Sequence, residues 1–275
     1  MKYAPTPVSD LSRKVGQSIR LIKAYNKWRP LTLAYSGGKD SDCVLYLCKL
    51  AHVQPTIVHN STTIDPPGTL SYVQQHGAII ARPAMTFYQL VEKKGLPSMF
   101  RRFCCAYLKE RYIASPLLLG IRSSESVKRA ARYTEPTACR IYSKKVSSET
   151  VLPIVHWNNQ DIVEFSEQEN LSFHPFYYVD GHFDVNRRVG CIGCPLQGDR
   201  GRGDYLQYPK FLRRLIQSYA KYVETHKAVT SVYDDVVWQL FYSNHGDEKY
   251  QQTYHGLFDA PNPRDFLSNY FHIDL

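Results

Sequence analysis

The stretch that decides the fold is LTLAYSGGKDSDCVLYLCKL, residues 31–50. Leu31 to Tyr35 form a short apolar run that predicts a buried strand, and the residues after position 41 show helical spacing. The six residues at the junction are Ser36, Gly37, Gly38, Lys39, Asp40 and Ser41. Glycines there let backbone N–H groups face an anion, while the helix N-terminus and the lysine add positive potential. The junction therefore predicts a phosphate-binding turn.

Strands and helices alternate along the first half of the chain. A helix is predicted over 9–28, further strands over 55–60, 78–83 and 115–122, and further helices over 41–51, 69–76 and 104–114. Such alternation is typical of an α/β fold with a mainly parallel, twisted sheet and helices on both faces.

The alternation weakens near position 130. Residues 138–157 indicate a hairpin-like excursion that returns to an apolar run, and a capped helix follows at 158–170. The chain after position 200 is mostly helical in pattern. We predict a main domain over 1–200 and a helical C-terminal extension over 201–275, packed on it.

Composition narrows the function classes. With 43% apolar residues in 275, the chain has material for a core, so disorder is excluded. It contains no apolar run of membrane-spanning length and no signal-like N-terminus, which predicts a cytoplasmic protein without a membrane partner. The net charge of +9 fits a phosphate-rich partner and equally a basic soluble surface. Seven cysteines, an odd number, favour metal or catalytic use over a disulfide framework.

The glycine turn is not a Walker loop. Leu33 stands where that motif needs a glycine, and Asp40 stands where it needs Ser or Thr. SGGKDS instead resembles the signature of the PP-loop (N-type) ATP pyrophosphatases, which split ATP between the α and β phosphates. The resemblance implies ATP and Mg²⁺ as cofactors, with Ser36, Gly37, Gly38, Lys39 and Ser41 on the phosphates. It gives Asp40 a role in magnesium binding or loop geometry, and groups Lys39, Asp40 and Ser41 as catalytic.

Three later segments resemble the phosphoadenosine phosphosulfate (PAPS) reductase family, so that the resemblance covers about residues 30–200. They are LGIRSSESVKRA (119–130), VLPIVHWNNQDIVEF (151–165) and VGCIGCP (189–195). The segment at 59–73 also fits, with Gly68 replacing the family's glutamate. The implied fold is that of the adenine nucleotide alpha hydrolases.

Gly120 and Arg122 follow a strand end, as the first turn does. Because parallel strands end at one edge of a sheet, both loops are expected to converge on one ligand there, with Arg122 as a catalytic phosphate clamp. The alternative is a solvated arginine paired with Glu125.

The cysteines suggest a cofactor. Cys104 and Cys105 are adjacent, and Cys191 and Cys194 form C-x-x-C. This set resembles the [4Fe-4S] ligands of iron–sulfur members of the PAPS reductase family, notably adenylyl-sulfate reductases. A four-cysteine zinc site and metal-free redox or persulfide-carrying thiols are the alternatives. Cys43 and Cys48 lie on an apolar helix and are predicted core residues.

The family resemblance leaves three functions. Reductases of the family end in a tail whose cysteine attacks sulfur, whereas the sequence has no cysteine after Cys194. The first function is ATP-dependent sulfur transfer to nucleic acid, as in DNA phosphorothioation, with DNA favoured over tRNA and a cysteine desulfurase or other sulfur donor as partner. The second is a sulfonucleotide reductase, and the third a non-catalytic nucleotide-binding module.

The basic stretches 101–103, 200–202 and 213–214 are candidate DNA contacts or solvated surface charges. The sequence leaves a homo-oligomer open.

Overall fold

The computed structural model describes residues 10–111, 113, 116–143, 146–243 and 261–275, and for 140–143 and 146 it describes the backbone alone. The chain divides into two compact units. The first comprises Met1–Asn60, Pro67–Ala81 and Arg111–Val189, and the second Ser61–Pro66, Arg82–Glu110 and Gly190–Leu275. These units interleave along the sequence, whereas we predict a single division after residue 200; that division stays a prediction.

The first unit holds a six-stranded sheet. Its strands are β1 (Thr32–Ala34), β2 (Thr56–Asn60), β3 (Ile79–Ala81), β4 (Leu117–Leu118), β5 (Thr137–Ser143) and β6 (Val146–Val151), in the order β3-β2-β1-β4-β6-β5. All neighbours are parallel except the β5–β6 hairpin. A small hairpin, β7 (Tyr178–Val179) and β8 (His182–Phe183), lies outside this sheet.

The helices of the first unit are α1 (Asp10–Asn26), α2 (Lys39–Leu50), α3 (Thr69–Gln75), α5 (Val127–Arg132) and α6 (Asn159–Gln168), numbered in chain order with α4 in the second unit. Helix α6 begins at the predicted cap, where the Asn158 side chain accepts from the Asp161 N–H at 3.0 Å. Leu33 of β1 and Cys43 and Cys48 of α2 are fully buried, so both cysteines are core residues as predicted.

The second unit is helical. Its helices are α4 (Phe87–Lys94), α7 (Asp199–Gln207), α8 (Pro209–His226), α9 (Val232–Val237) and α10 (Pro263–Phe271), with π-helical turns at Cys105–Lys109 and Trp238–Tyr242. Its own core includes Leu90 of α4, Leu212 of α8 and Val236 of α9. No membrane-spanning helix is found among the helices of the described ranges.

The predicted α/β class, the mainly parallel sheet and the helical C-terminal region are confirmed. The helix predicted over 104–114 is wrong in extent, because among its described residues the helical conformation ends at Lys109, with the π-turn Cys105–Lys109 directly after Cys104. The sequence analysis did not predict helix α4. Its signals are the capping box of Thr86 and Gln89 at its start and Gly95, at φ +77°, directly after its end.

Strand β1 marks the point where the strand order of the sheet reverses. From β1 the chain moves to β2 and β3 on one side, and it returns to β4 on the other. Ligands of open α/β sheets bind beyond the carboxyl ends of the strands at such a point. The loops after β1 and β4 are therefore the place to look for a site.

Candidate functional site

The turn after β1 is closed by its own hydroxyl groups. Ser41 Oγ donates to the Gly38 carbonyl at 2.7 Å and accepts from the Gly38 N–H at 3.2 Å, and Ser36 Oγ lies 3.3 Å from Ser41 Oγ. Gly37 adopts φ +70°, and a Cβ there would lie 2.9 Å from Val73 Cγ1. The turn thus needs glycine for both conformation and space.

The loop after β4 meets this turn, as the sequence predicts. A Cβ on Gly120 would lie 2.7 Å from the Asp40 carbonyl carbon, so only glycine allows the approach. Arg122 is 2% exposed, and its Nε donates to Asp40 Oδ1 at 2.7 Å. The alternative of a solvated Arg122 is wrong, because the Arg122 side chain is buried against Asp40. Glu125 Oε2 accepts from the Arg122 backbone N–H at 3.3 Å.

Lys39 is held inside the site. It is 3% exposed, and its Nζ lies 3.4 Å from Asp40 Oδ2 and 3.5 Å from the Arg187 carbonyl oxygen. Burial lowers the pKa of Lys39, and the neighbouring Arg122 charge adds to this. Asp40 therefore bridges Lys39 and Arg122, and its role in magnesium binding or loop geometry stays a prediction.

Tyr177 supports the same turn from a distant part of the sequence. Its hydroxyl accepts from the backbone N–H groups of Lys39 at 3.1 Å and Val189 at 3.4 Å. The Lys39 ammonium lies 5.3 Å from the centre of the Tyr177 ring. The ring is buried in the core, so Tyr177 serves packing and the site together. The sequence analysis missed this contact between Tyr177 and the first turn.

Two further arginines join the cluster. Glu125 Oε1 lies 3.2 Å from an Arg188 guanidinium nitrogen, and Glu125 Oε2 pairs with Arg129. With Lys39 and Arg122, four cations face two carboxylates, Asp40 and Glu125. The excess of two positive charges at the carboxyl edge of the sheet suits a polyanion. Arg188 was missed by the sequence analysis, although it immediately precedes the quoted VGCIGCP segment.

A buried carboxylate lies one residue beyond the turn. Asp42 accepts hydrogen bonds from the hydroxyls of Tyr35 at 2.5 Å and Tyr72 at 3.0 Å. Burial raises the pKa of Asp42 to about 6, although both hydroxyls oppose the shift. No sequence pattern identified this group, because Tyr35 follows strand β1, Asp42 lies on helix α2, and their meeting depends on packing.

The four predicted ligand cysteines all belong to the second unit, and their charges interact. A hydrogen bond from Cys104 lowers the pKa of Cys105 to about 6, with help from Arg102, and the same bond raises the pKa of Cys104. Burial raises the pKa of Cys191 to about 11 and also raises that of Cys194.

The Cys191–Cys194 turn is supported by α7. The Gly193 N–H donates to Asp204 Oδ2 at 3.1 Å, and Gln197 Nε2 donates to the Cys191 carbonyl at 3.3 Å. A Cβ on Gly193 would overlap the Tyr205 hydroxyl, and a Cβ on Gly201 would overlap the Cys194 carbonyl oxygen. The sequence spacing therefore reflects a tightly packed turn.

The donor chemistry of four thiols suits an iron–sulfur cluster or zinc. Within the described ranges, however, no three His, Cys, Asp or Glu side chains are arranged to hold a metal ion. The thiols are thus grouped in one unit without a formed ligand set, and the cluster remains a proposal.

The sequence profile of the phosphoadenosine phosphosulfate reductase domain matches residues 30–197. The chain belongs to this family. The PAPS reductase match covers the sheet, the turn after β1, the loop after β4 and the C-x-x-C turn, which confirms the resemblance inferred from the sequence. No curated protein gives a significant match.

Solved structures show partial likeness to this PAPS reductase family member. The FMN adenylyltransferase of Candida glabrata is 16% identical with a TM-score of 0.44, covering 64% of this chain and 62% of its own. The PAPS reductase of Candida auris is 11% identical with a TM-score of 0.43, covering 62% and 90%. The U34-tRNA thiolase NcsA of Methanococcus maripaludis, determined with its [4Fe-4S] cluster, is 10% identical with a TM-score of 0.39, covering 80% and 81%. The family assignment rests on the sequence match alone.

Proposed function

We propose that the protein is an ATP pyrophosphatase that activates an acceptor by adenylation for sulfur transfer. The observation that carries this proposal is the buried Lys39, held by Asp40 beside Arg122 at the carboxyl edge of β1 and β4. A primary ammonium and a guanidinium fixed next to a glycine turn suit the phosphate chain of a nucleotide. Membership of the PAPS reductase family supports a nucleotide-binding enzyme.

The residues of the site divide the work in this proposal. Backbone N–H groups at Gly37 and Gly38, with the hydroxyls of Ser36 and Ser41, hold the phosphates, and Mg²⁺ shares their charge. Lys39 and Arg122 stabilise the charge that develops on the leaving pyrophosphate. Gly120 keeps the second loop close enough for Arg122 to reach the ligand.

Adenylation solves a leaving-group problem. An oxygen of the acceptor attacks the α-phosphorus of ATP, pyrophosphate leaves, and the acceptor oxygen becomes part of a good leaving group, AMP. A persulfide from a cysteine desulfurase or other sulfur donor then displaces AMP through its terminal sulfur. A further thiol frees the product by forming a disulfide with the carrier cysteine.

DNA is the acceptor we favour over tRNA, which makes the overall reaction DNA phosphorothioation in the cytoplasm. The net charge of +9 supports a phosphate-rich partner. The arginines of these basic stretches are exposed, except that Arg202 is half-buried and lies over the Phe241 ring at 4.6 Å.

Cys104, Cys105, Cys191 and Cys194 are the proposed ligands of a [4Fe-4S] cluster, supported by their common unit and by the chemistry of the donor set. When bound, such a cluster supplies redox or sulfur-handling chemistry. Zinc is the alternative, and metal analysis of protein prepared without oxygen separates the two.

The products formed from ATP test the proposal. Purified protein with ATP, Mg²⁺ and DNA should release pyrophosphate and AMP, not phosphate and ADP. Release of ADP, or no nucleotide cleavage with any nucleic acid, would refute it.

A sulfonucleotide reductase is the second candidate, and the family match favours it. Adenylyl sulfate or PAPS offered with thioredoxin should yield no sulfite under our proposal. Sulfite release without pyrophosphate formation from ATP would establish the second candidate in its place.

A further inference from the structure

Residues 93–109 of the second unit form a basic and aromatic surface, which we call the Phe100 surface. The segment contains five cationic side chains and no carboxylate: Lys93, Lys94, Arg101, Arg102 and Lys109. Phe100 is 86% exposed and Tyr107 is 46% exposed. Two large exposed rings among concentrated positive charge are typical of a binding surface.

The surface is built by specific contacts. Ser98 Oγ accepts from the N–H groups of Phe100 at 3.3 Å and Arg101 at 3.1 Å, which forms a tight turn with Phe100 at its tip. The Arg101 guanidinium donates to the Lys94 carbonyl at 2.5 Å, and the Lys94 ammonium lies 5.0 Å from the centre of the Tyr107 ring. The two rings and their cations therefore belong to one ordered surface.

The inner side of the same segment is anchored in the core of its unit. Leu108 is buried, Phe103 packs on the core, and the Pro97 carbonyl accepts from Gln239 Nε2 at 3.1 Å. Phe100 does not occupy one of these inward positions, although apolar side chains of the same segment do. It is exposed because the turn at Ser98 holds it at the tip.

We propose that the Phe100 surface binds single-stranded DNA, so that the acceptor enters as an unpaired strand. The identity of the acceptor as DNA rests on the proposed function. Base faces are available for stacking in a single strand and hidden in a duplex, and cations along the segment neutralise the backbone. Stacking of one base on an aromatic ring is worth about fivefold to a hundredfold in affinity.

The surface also adjoins the thiols of the same unit. Arg102 donates a hydrogen bond to the sulfur of Cys105, and it lies 3.9 Å from Glu110 at the end of the segment. A strand held by Phe100 and Tyr107 would be held beside the cysteine group proposed for sulfur chemistry.

Fluorescence anisotropy tests the proposal on the whole chain, without ATP. The probes are a labelled single strand of about 16 nucleotides, its duplex and the RNA strand of the same sequence. The DNA strand should bind at least tenfold tighter than the duplex and no weaker than the RNA. A duplex that binds as tightly, RNA that binds more tightly, or no binding of any probe would overturn the proposal.

Variants assign the binding to this surface. Phe100→Ala with Tyr107→Ala should weaken strand binding tenfold or more and leave the salt dependence unchanged. Lys94→Ala with Arg101→Ala should lower the slope of log K against log salt by about 1.4, or about 0.7 for each phosphate that is no longer neutralised. Thermal melting confirms that both variants stay folded.

Helix α1 and the residues after it offer matched controls. Trp28 is 85% exposed, so Trp28→Ala removes a ring as exposed as Phe100, and Lys23→Ala with Lys27→Ala removes two exposed charges. These controls should change binding less than twofold. If Trp28→Ala weakens binding and Phe100→Ala does not, the surface is misassigned.

The two proposals fail separately. If the strand does not bind while pyrophosphate is still released from ATP, the Phe100 surface alone is refuted. If the strand binds but ATP yields no pyrophosphate with any acceptor, the proposed function alone is refuted.

Discussion

The turn after β1 and the turn between Cys191 and Cys194 both place a glycine at positive φ, Gly37 at +70° and Gly193 at +67°. In the first turn, Ser41 closes the loop onto Gly38 three residues away. In the second, Gly193 is held by Asp204, eleven residues further along the chain. The Ser41 hydrogen bond thus closes the first turn within three residues, whereas the hydrogen bond to Gly193 comes from a separate helix.

The surroundings of the two turns differ in charge as well. The first is lined by Lys39 and Arg122, which lie against one carboxylate, Asp40. The second carries thiols, and burial raises the pKa of Cys191 and of Cys194. Similar glycine geometry therefore lies beside cationic side chains in one unit and beside buried thiols in the other.

Cys191→Ser should have the largest effect in the second unit. Protein prepared without oxygen should contain iron and acid-labile sulfide, and the variant should lose all visible thiolate-to-iron absorbance because a ligand is removed. Cys139→Ser, which changes an exposed cysteine of β5, is the control and should keep the absorbance. Wild-type protein with zinc and no iron would contradict the cluster.

Lys39→Ala should have the largest effect in the first unit. Loss of one fixed charge from the developing pyrophosphate should slow ATP cleavage about a hundredfold to a thousandfold. Pyrophosphate release measures the rate, and iron content should not change. Lys49→Ala, an exposed lysine on the same helix, is the control. An unchanged rate of pyrophosphate release in Lys39→Ala would refute a catalytic role for Lys39.

Asp42→Asn should remove a pH dependence of stability. Because burial raises the pKa of Asp42 from 3.8 to about 6, the folded wild type binds the proton more tightly than the unfolded chain. Its free energy of unfolding should therefore fall by about 2 kcal/mol as pH rises from about 4 to about 6, relative to the variant. Urea unfolding across this range measures the difference, and parallel curves for both proteins would refute the assignment.

Gly120→Ala should have a smaller effect. The added methyl group meets the Asp40 backbone, so the variant should lose about 1–3 kcal/mol of unfolding free energy. Gly203→Ala on α7 meets no atom within 4 Å and should gain about 0.5–1 kcal/mol from helix propensity. Equal urea midpoints for the two variants would show that the close approach of the two loops is not rigid.

Features determined by short-range pattern were predictable from the sequence. The strand at Thr32–Ala34, the glycine turn and helix α2 follow from periodicity and residue type within about twenty positions. The meeting of Arg122 with the first turn also followed, because parallel strands β1 and β4 end at one edge of the sheet.

Features that depend on distant parts of the chain were not predictable. Tyr177 reaches the Lys39 N–H across 138 positions, and Arg188 reaches Glu125 from a loop without regular pattern. The grouping of Arg82–Glu110 with Gly190–Leu275 likewise leaves no periodic signal in the sequence. Helical spacing over 104–114 predicted a longer helix than the short helical stretch at 103–109, most of which is the π-turn Cys105–Lys109.

The interleaving of the two units sets an order of events during synthesis. The first unit is complete once Val189 has emerged from the ribosome, whereas the second needs residues up to Leu275. Cys191, which lies in the same unit as Cys105, is added 86 positions later, or about 4–17 s at ordinary elongation rates. The growing chain can therefore complete the sheet and the turn after β1 while Cys104 and Cys105 still belong to an incomplete unit.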